Sequence, residues 1–187
     1  MSPLIELIGG AKSYGWGNLA VSSSFESIAT ATPSAQSSIT FSSIPSTYKH
    51  LQIRFALIAS AAYQSYRIQL NGDTGDTNYV SHGLRGNGTN VTAAGFASGA
   101  GYSSIVILER NGTVATSPNV GIIDIQDYAS TTKNKTLRTF VGADNNNTDG
   151  SIELDSGLFI STSAINSINF KQSTGTFTGT VSLYGIK

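Results

Sequence analysis

Cysteine is absent from this 187-residue chain, and histidine occurs only as His50 and His82. The first absence excludes disulfides and thiolate metal sites. It leaves the compartment open, because oxidising and reducing environments both tolerate a cysteine-free chain. Charge is also scarce: Asp, Glu, Lys and Arg make up 12% of the residues, about half the usual share of roughly 25%. The 11 acidic and 11 basic residues cancel, so no net field draws in polyanions or an anionic membrane, and nucleic acid is not an expected partner. No run of about 20 apolar residues exists to span a bilayer. The first ten residues carry no basic leader, and Glu6 interrupts their apolar cluster, so the expectation is a soluble chain not exported by the usual route.

What remains is 39% apolar residues among abundant Ser, Thr, Asn and Gly, enough for one domain with a sizeable core. Strand-like runs recur at 25–32, 37–41, 49–59, 65–70, 79–84, 104–109, 120–126, 136–141, 151–160, 165–170 and 180–186. Turn dipeptides Asn71-Gly72, Asn87-Gly88 and Asn111-Gly112 and a polar tip at 144–150 punctuate them. No segment holds a helical period. Strands without intervening helices predict an all-β fold, an antiparallel β-sandwich of jelly-roll type. Leu51, Ile53, Phe55 and Leu57 alternate onto one face, as do Ile152, Leu154, Leu158 and Ile160; these eight are the expected core.

The sandwich body is assigned to 25–187, preceded by an extended N-terminal arm at 1–24. The arm carries Leu4, Ile5, Leu7, Ile8, Tyr14 and the sole tryptophan, Trp16. Its glycines disfavour an independent helix. Exposed apolar surface costs about 25 cal/mol per Å², so these six residues are the expected partner-binding set, docking on the body, a neighbouring subunit or another protein.

Chemistry-bearing residues are few. Two isolated histidines read as surface or structural groups, although a Ser-His-Asp site assembles only in the fold. Carboxylate pairs occur at Asp73/Asp76, Asp124/Asp127, Asp144/Asp149 and Glu153/Asp155. A glycosidase needs two carboxyls facing across a sugar bond, whereas Glu153 and Asp155 are expected to share the outward face of one strand. The oxygen-rich run 71–78 has ligand types that suit calcium but lacks EF-hand spacing, so an ordinary hairpin loop is favoured. The stretch 83–88 is glycine-rich without the Lys-Ser/Thr ending of a phosphate loop. The sequons at Asn87 and Asn111 have no meaning without export. No cofactor and no metal is expected.

The runs Phe25-Glu26-Ser27-Ile28-Ala29-Thr30 and Ser38 through Arg54, with Ile68-Gln69-Leu70-Asn71-Gly72-Asp73 and the ending Val181 through Lys187, resemble virion proteins of tailed phages, particularly those of cyanobacterial and marine hosts. The resemblance covers most of the body. It implies a virion component, assembled in the host cytoplasm, with a β-sandwich body, and it transfers no catalytic residue. The function expected is a capsid decoration or cement protein, a homotrimer that contacts the major capsid protein or another virion protein. Its alternatives are a short tail or head fibre module that binds host-surface glycan and a glycan-cleaving enzyme.

Overall fold

A computed structural model describes residues 24–61, 64–108, 117–144 and 150–187. The arm residues Leu4, Ile5, Leu7, Ile8, Tyr14 and Trp16 lie outside this described set. Twelve strands follow one another: β1 Phe25–Ala31, β2 Ser38–Phe41, β3 His50–Ala59, β4 Tyr66–Leu70, β5 Tyr79–Gly86, β6 Val91–Phe96, β7 Ile105–Leu108, β8 Asn119–Ile125, β9 Lys135–Ala143, β10 Ser151–Phe159, β11 Ile168–Gln172 and β12 Phe177–Ile186. The one helical element among the described residues is a single 3₁₀ turn, Asp76–Asn78.

The strands form an eight-stranded sheet, β1-β12-β3-β8-β9-β10-β5-β6, and a four-stranded sheet, β2-β11-β4-β7. Every neighbouring pair is antiparallel. The pairs β1/β12 and β3/β8 lie in one sheet, and β2/β11 and β4/β7 in the other. This is the connectivity of one long ribbon of paired strands rolled over into two sheets, a jelly roll. Two hairpins, β5–β6 and β9–β10, are inserted into the ribbon and widen only the larger sheet.

The core lies between the sheets. Leu51, Ile53, Phe55 and Leu57 of β3 are buried, as their alternation requires, and each pairs with a neighbour on both β8 and β12. Phe55 packs edge-on to Tyr66 and Phe170 at centroid distances of 5.9 and 5.2 Å. Phe177 closes the same cluster against Phe170 at 5.7 Å. Gly121 is required here: a Cβ on it would stand 2.5 Å from the Phe55 ring and 2.9 Å from Val141. Asn119 is buried with its amide paired: Nδ2 donates to the Leu57 carbonyl at 3.0 Å. The Tyr79 hydroxyl donates to the Leu70 and Asp73 carbonyls, and burial pushes its pKa up to about 12.

Strand β10 departs from expectation. Ile152, Leu154 and Ile160 are exposed and Leu158 is only partly covered, so none of the four joins the core. Glu153 and Asp155 point inward instead. Three contacts hold the strand this way up. Phe159 stacks on Tyr79 at 5.1 Å, Gly157 sits where a Cβ would stand 2.5 Å from Ile105 of the crossing β7, and Asp155 accepts the Thr139 hydroxyl at 3.0 Å. Because strands alternate with period two, fixing Phe159 and Gly157 inward sends every even-numbered residue outward. Strand β6, Val-Thr-Ala-Ala-Gly-Phe, has no counterpart among the expected strands. Small, exposed side chains give it no apolar alternation, and it exists by pairing with β5.

Two substitutions test the assignment of faces. Phe55→Ala is expected to cost about 3 to 5 kcal/mol in urea unfolding. Leu154→Asp, on the opposite face of the sheet, is expected to cost less than about 1 kcal/mol; a loss as large as that of Phe55→Ala would place Leu154 in the core after all.

Candidate functional site

The outer face of the eight-stranded sheet carries the most unusual surface of the described residues. Strand register lays its side chains in two adjacent rows. The first runs Ile122, Phe140, Leu154 and Leu84 across β8, β9, β10 and β5, ending on Ala93 of β6. The second runs Val120, Gly142, Ile152, Gly86 and Val91 across the same five strands. Phe140 is 55% exposed, Leu154 53% and Ile152 52%. Single exposed apolar residues are ordinary, but a contiguous field of seven large ones is the mark of an interaction surface.

The second row alternates large and small. Gly142 and Gly86 form depressions between Val120, Ile152 and Val91, and a Cβ placed on Gly142 would meet nothing within 4 Å. Glycine inside a strand weakens it and marks a site of close backbone approach. Here the glycines form the floor of an open trough of about 630 Å³, with walls from Asn87, Pro118, Val120 and Ile152. On one side the apolar rows border a polar row, in which Gln52 donates to Asp124 at 2.8 Å and Arg138 stands 3.6 Å from Asp124. Beyond Ile122, Arg54 lies over the rings of Phe25 and Tyr184 at 5.1 and 5.6 Å. The surface can therefore bury apolar side chains and orient them against a polar margin. The same polar row continues through Ser156 to His82, its cross-strand partner, with no hydrogen bond between those two side chains.

The residues singled out from sequence are scattered. His50 Nδ1 accepts the Asp127 backbone N–H at 3.0 Å, a helix-free loop contact at the foot of β3. The Asp127 carboxylate is held by Lys133 at 3.0 Å, and this hydrogen bond keeps its pKa below the usual carboxylate range. His82 stands on the outer face of β5 beside Gly95, remote from His50. Asp73 closes a local turn, accepting Gly75 N–H at 2.8 Å and the Asn78 amide at 2.9 Å. Among the described residues no group of three His, Asp or Glu side chains is placed to hold a metal ion.

Glu153 and Asp155, expected on the outward face, lie instead on the inner face of β10. Arg85 Nε approaches Glu153 at 3.5 Å, and the space around the pair is about 20 Å³, too small for a sugar. Asp149 lies outside the described residues. The even-numbered aliphatics of 151–160 carry the signal for the apolar face in the sequence, where alternation alone does not distinguish it from a core face.

No family model matches the sequence, and no curated protein matches it. Among solved structures, the chain is similar to the galectin LEC-6 of Caenorhabditis elegans, at 10% identity and a TM-score of 0.39, over 82% of this chain and 94% of that one. At that level the likeness assigns neither ligand nor activity.

The Asp73 turn gives a direct test of the calcium reading. Asp73→Ala is expected to cost about 1 to 3 kcal/mol, the range for losing hydrogen bonds to a charged acceptor. Adding millimolar calcium to the unaltered protein is expected to leave Tm unchanged, and a rise of several degrees would mean that the loop binds the ion.

Proposed function

We propose that this protein is a non-enzymatic assembly component, a capsid decoration or cement module of a tailed-phage particle, in which the N-terminal arm of one copy seats in the trough of the next. The observation that carries the assembly reading is the exposed double row on β8, β9, β10, β5 and β6. The virion setting is supported by the sequence resemblance of the body.

The occupant is argued from chain length and position. Residues 1–23 precede β1, which forms one edge of the same eight-stranded sheet. From there to the trough is four strand spacings sideways and about six residues along, roughly 30 Å. An extended segment of that length reaches roughly 75 Å, more than twice what its own trough requires, and so has the reach to cross to a neighbour. Leu4, Ile5, Leu7, Ile8 and Trp16 supply large apolar groups, and Gly9, Gly10, Gly15 and Gly17 permit close backbone approach over Gly142 and Gly86. Burying several such side chains at about 1.5 to 3 kcal/mol each offsets the entropy of ordering the arm. Closed exchange among copies yields a symmetric oligomer, for which a trimer is favoured, and repeats any contact with the shell.

Native mass measurement at micromolar concentration tests this. The full chain is expected to be oligomeric. Gly142→Leu, which puts a side chain into the trough from a position whose Cβ meets nothing within 4 Å, and Phe140→Glu are both expected to give folded monomers that no longer join particles. Deletion of residues 1–23 is expected to do the same. An oligomer unaffected by Gly142→Leu, or a full chain that remains monomeric with its own arm folded back, would overturn the exchange.

A further inference from the structure

The outer face of the small sheet carries a second unusual arrangement, independent of the assembly surface. Arg67 of β4 and Lys171 of β11 are direct cross-strand partners, and both side chains are half-buried. Like charges placed opposite each other on a sheet destabilise it. No carboxylate among the described residues lies within ion-pair distance of either. Burial holds both pKa values below their ordinary positions, and the Arg67 charge adds to the effect on Lys171.

The arginine is also held in place. Its Nε donates to Ser65 Oγ at 2.8 Å, and its guanidinium lies over the Tyr102 ring at 4.7 Å. Tyr102 is in turn propped by Phe96 at a centroid distance of 4.5 Å. The terminal nitrogens have no acceptor among the described residues, which leaves the planar fork facing an open cavity of about 290 Å³. Val106 and Phe96 give that cavity an apolar wall, while Gln64, Ser65 and Ser173 give it amide and hydroxyl groups. Ser173 is fixed by donating to Gln64 Oε1 at 3.1 Å and accepting the Ser65 N–H at 3.1 Å.

We propose that this cavity binds a single acidic sugar residue, with its carboxylate on Arg67 and its ring against Val106 and Phe96, while Lys171, the cross-strand partner of Arg67 outside the cavity lining, adds its positive charge to the field. A preordered guanidinium fork suits an oxyanion with two parallel hydrogen bonds. A volume near 300 Å³ is at the small end of ligand cavities and matches one ring. The mixture of an apolar wall with hydroxyl and amide groups suits a sugar better than a bare inorganic anion. Ligand binding also explains why two half-buried cations are kept side by side: the incoming charge offsets their repulsion and their desolvation.

The test is titration of the full chain with glucuronate, glucose and inorganic sulfate, read by amide chemical shifts. Glucuronate is expected to shift the amides of β4 and β11 saturably and to weaken as salt is raised. Lys171→Gln is expected to weaken it several-fold, in line with the loss of one nearby positive charge, while Tm stays equal or rises. Arg67→Gln is expected to abolish binding. Binding of glucose as tight as that of glucuronate, binding of sulfate as tight as that of glucuronate, unchanged affinity in Lys171→Gln, or no shifts at tens of millimolar glucuronate would each overturn the proposal.

Discussion

Antiparallel pairing across eight strands assigns every side chain to one of two faces, and the four-stranded sheet covers only one of them. Most of the molecule's character depends on that constraint. The covered face takes Leu51, Ile53, Phe55 and Leu57 from β3, with Ile123, Ile125, Leu137 and Val141 from the strands beside it. The uncovered face takes what is left on β8, β9, β10 and β5, and there the sequence supplies Ile122, Phe140, Leu154 and Leu84. Hydrophobic residues on both faces of a strand belong in a sheet covered on both sides. Among the described residues nothing covers the outer face, which is why the proposed function seats an apolar segment there.

The inserted hairpins account for where this happens. Without β5–β6 and β9–β10, the ribbon would be a pair of four-stranded sheets, β1-β12-β3-β8 over β2-β11-β4-β7. The insertions double the width of one sheet and not the other. They bring the glycines of the trough, Gly142 and Gly86, into one row. They also bring Phe96 of β6 to the rim of the small sheet, where it props Tyr102 beneath Arg67. Both candidate surfaces thus contain residues from elements absent from the simplest form of the fold.

How much of this the sequence made legible depended on whether local pattern and tertiary cover agreed. Strand β3 sets Leu51, Ile53, Phe55 and Leu57 on one face against Gln52 and Arg54 on the other, so alternation and burial coincide there, and its core residues could be read directly. In β10 the aliphatic residues Ile152 and Leu154 face out, while Phe159, Gly157 and the polar Glu153 and Asp155 face in. Alternation revealed that there were two faces but not which was covered, since that was decided by β7 crossing over Gly157. Strand β6 was hidden because small residues carry no apolar period, and its existence depends on pairing with β5, from Gly86–Val91 beside the turn to Ser81–Phe96. The Arg67–Lys171 pair was equally illegible, because a cross-strand register between residues about a hundred positions apart leaves no local trace. The arm was legible as apolar and glycine-rich, and its destination was not.

Side-chain footprinting with hydroxyl radicals tests the central claim most directly, by comparing Phe140, Ile152 and Leu154 in the full chain and in a chain restricted to residues 24–187. The account predicts that all three are protected in the full chain at concentrations where it associates and become strongly labelled when the arm is removed, while core Phe55 stays protected in both. Equal, strong labelling of Phe140, Ile152 and Leu154 in the two chains would contradict it, because the outer sheet face would then be ordinary solvent-exposed surface with no segment seated on it.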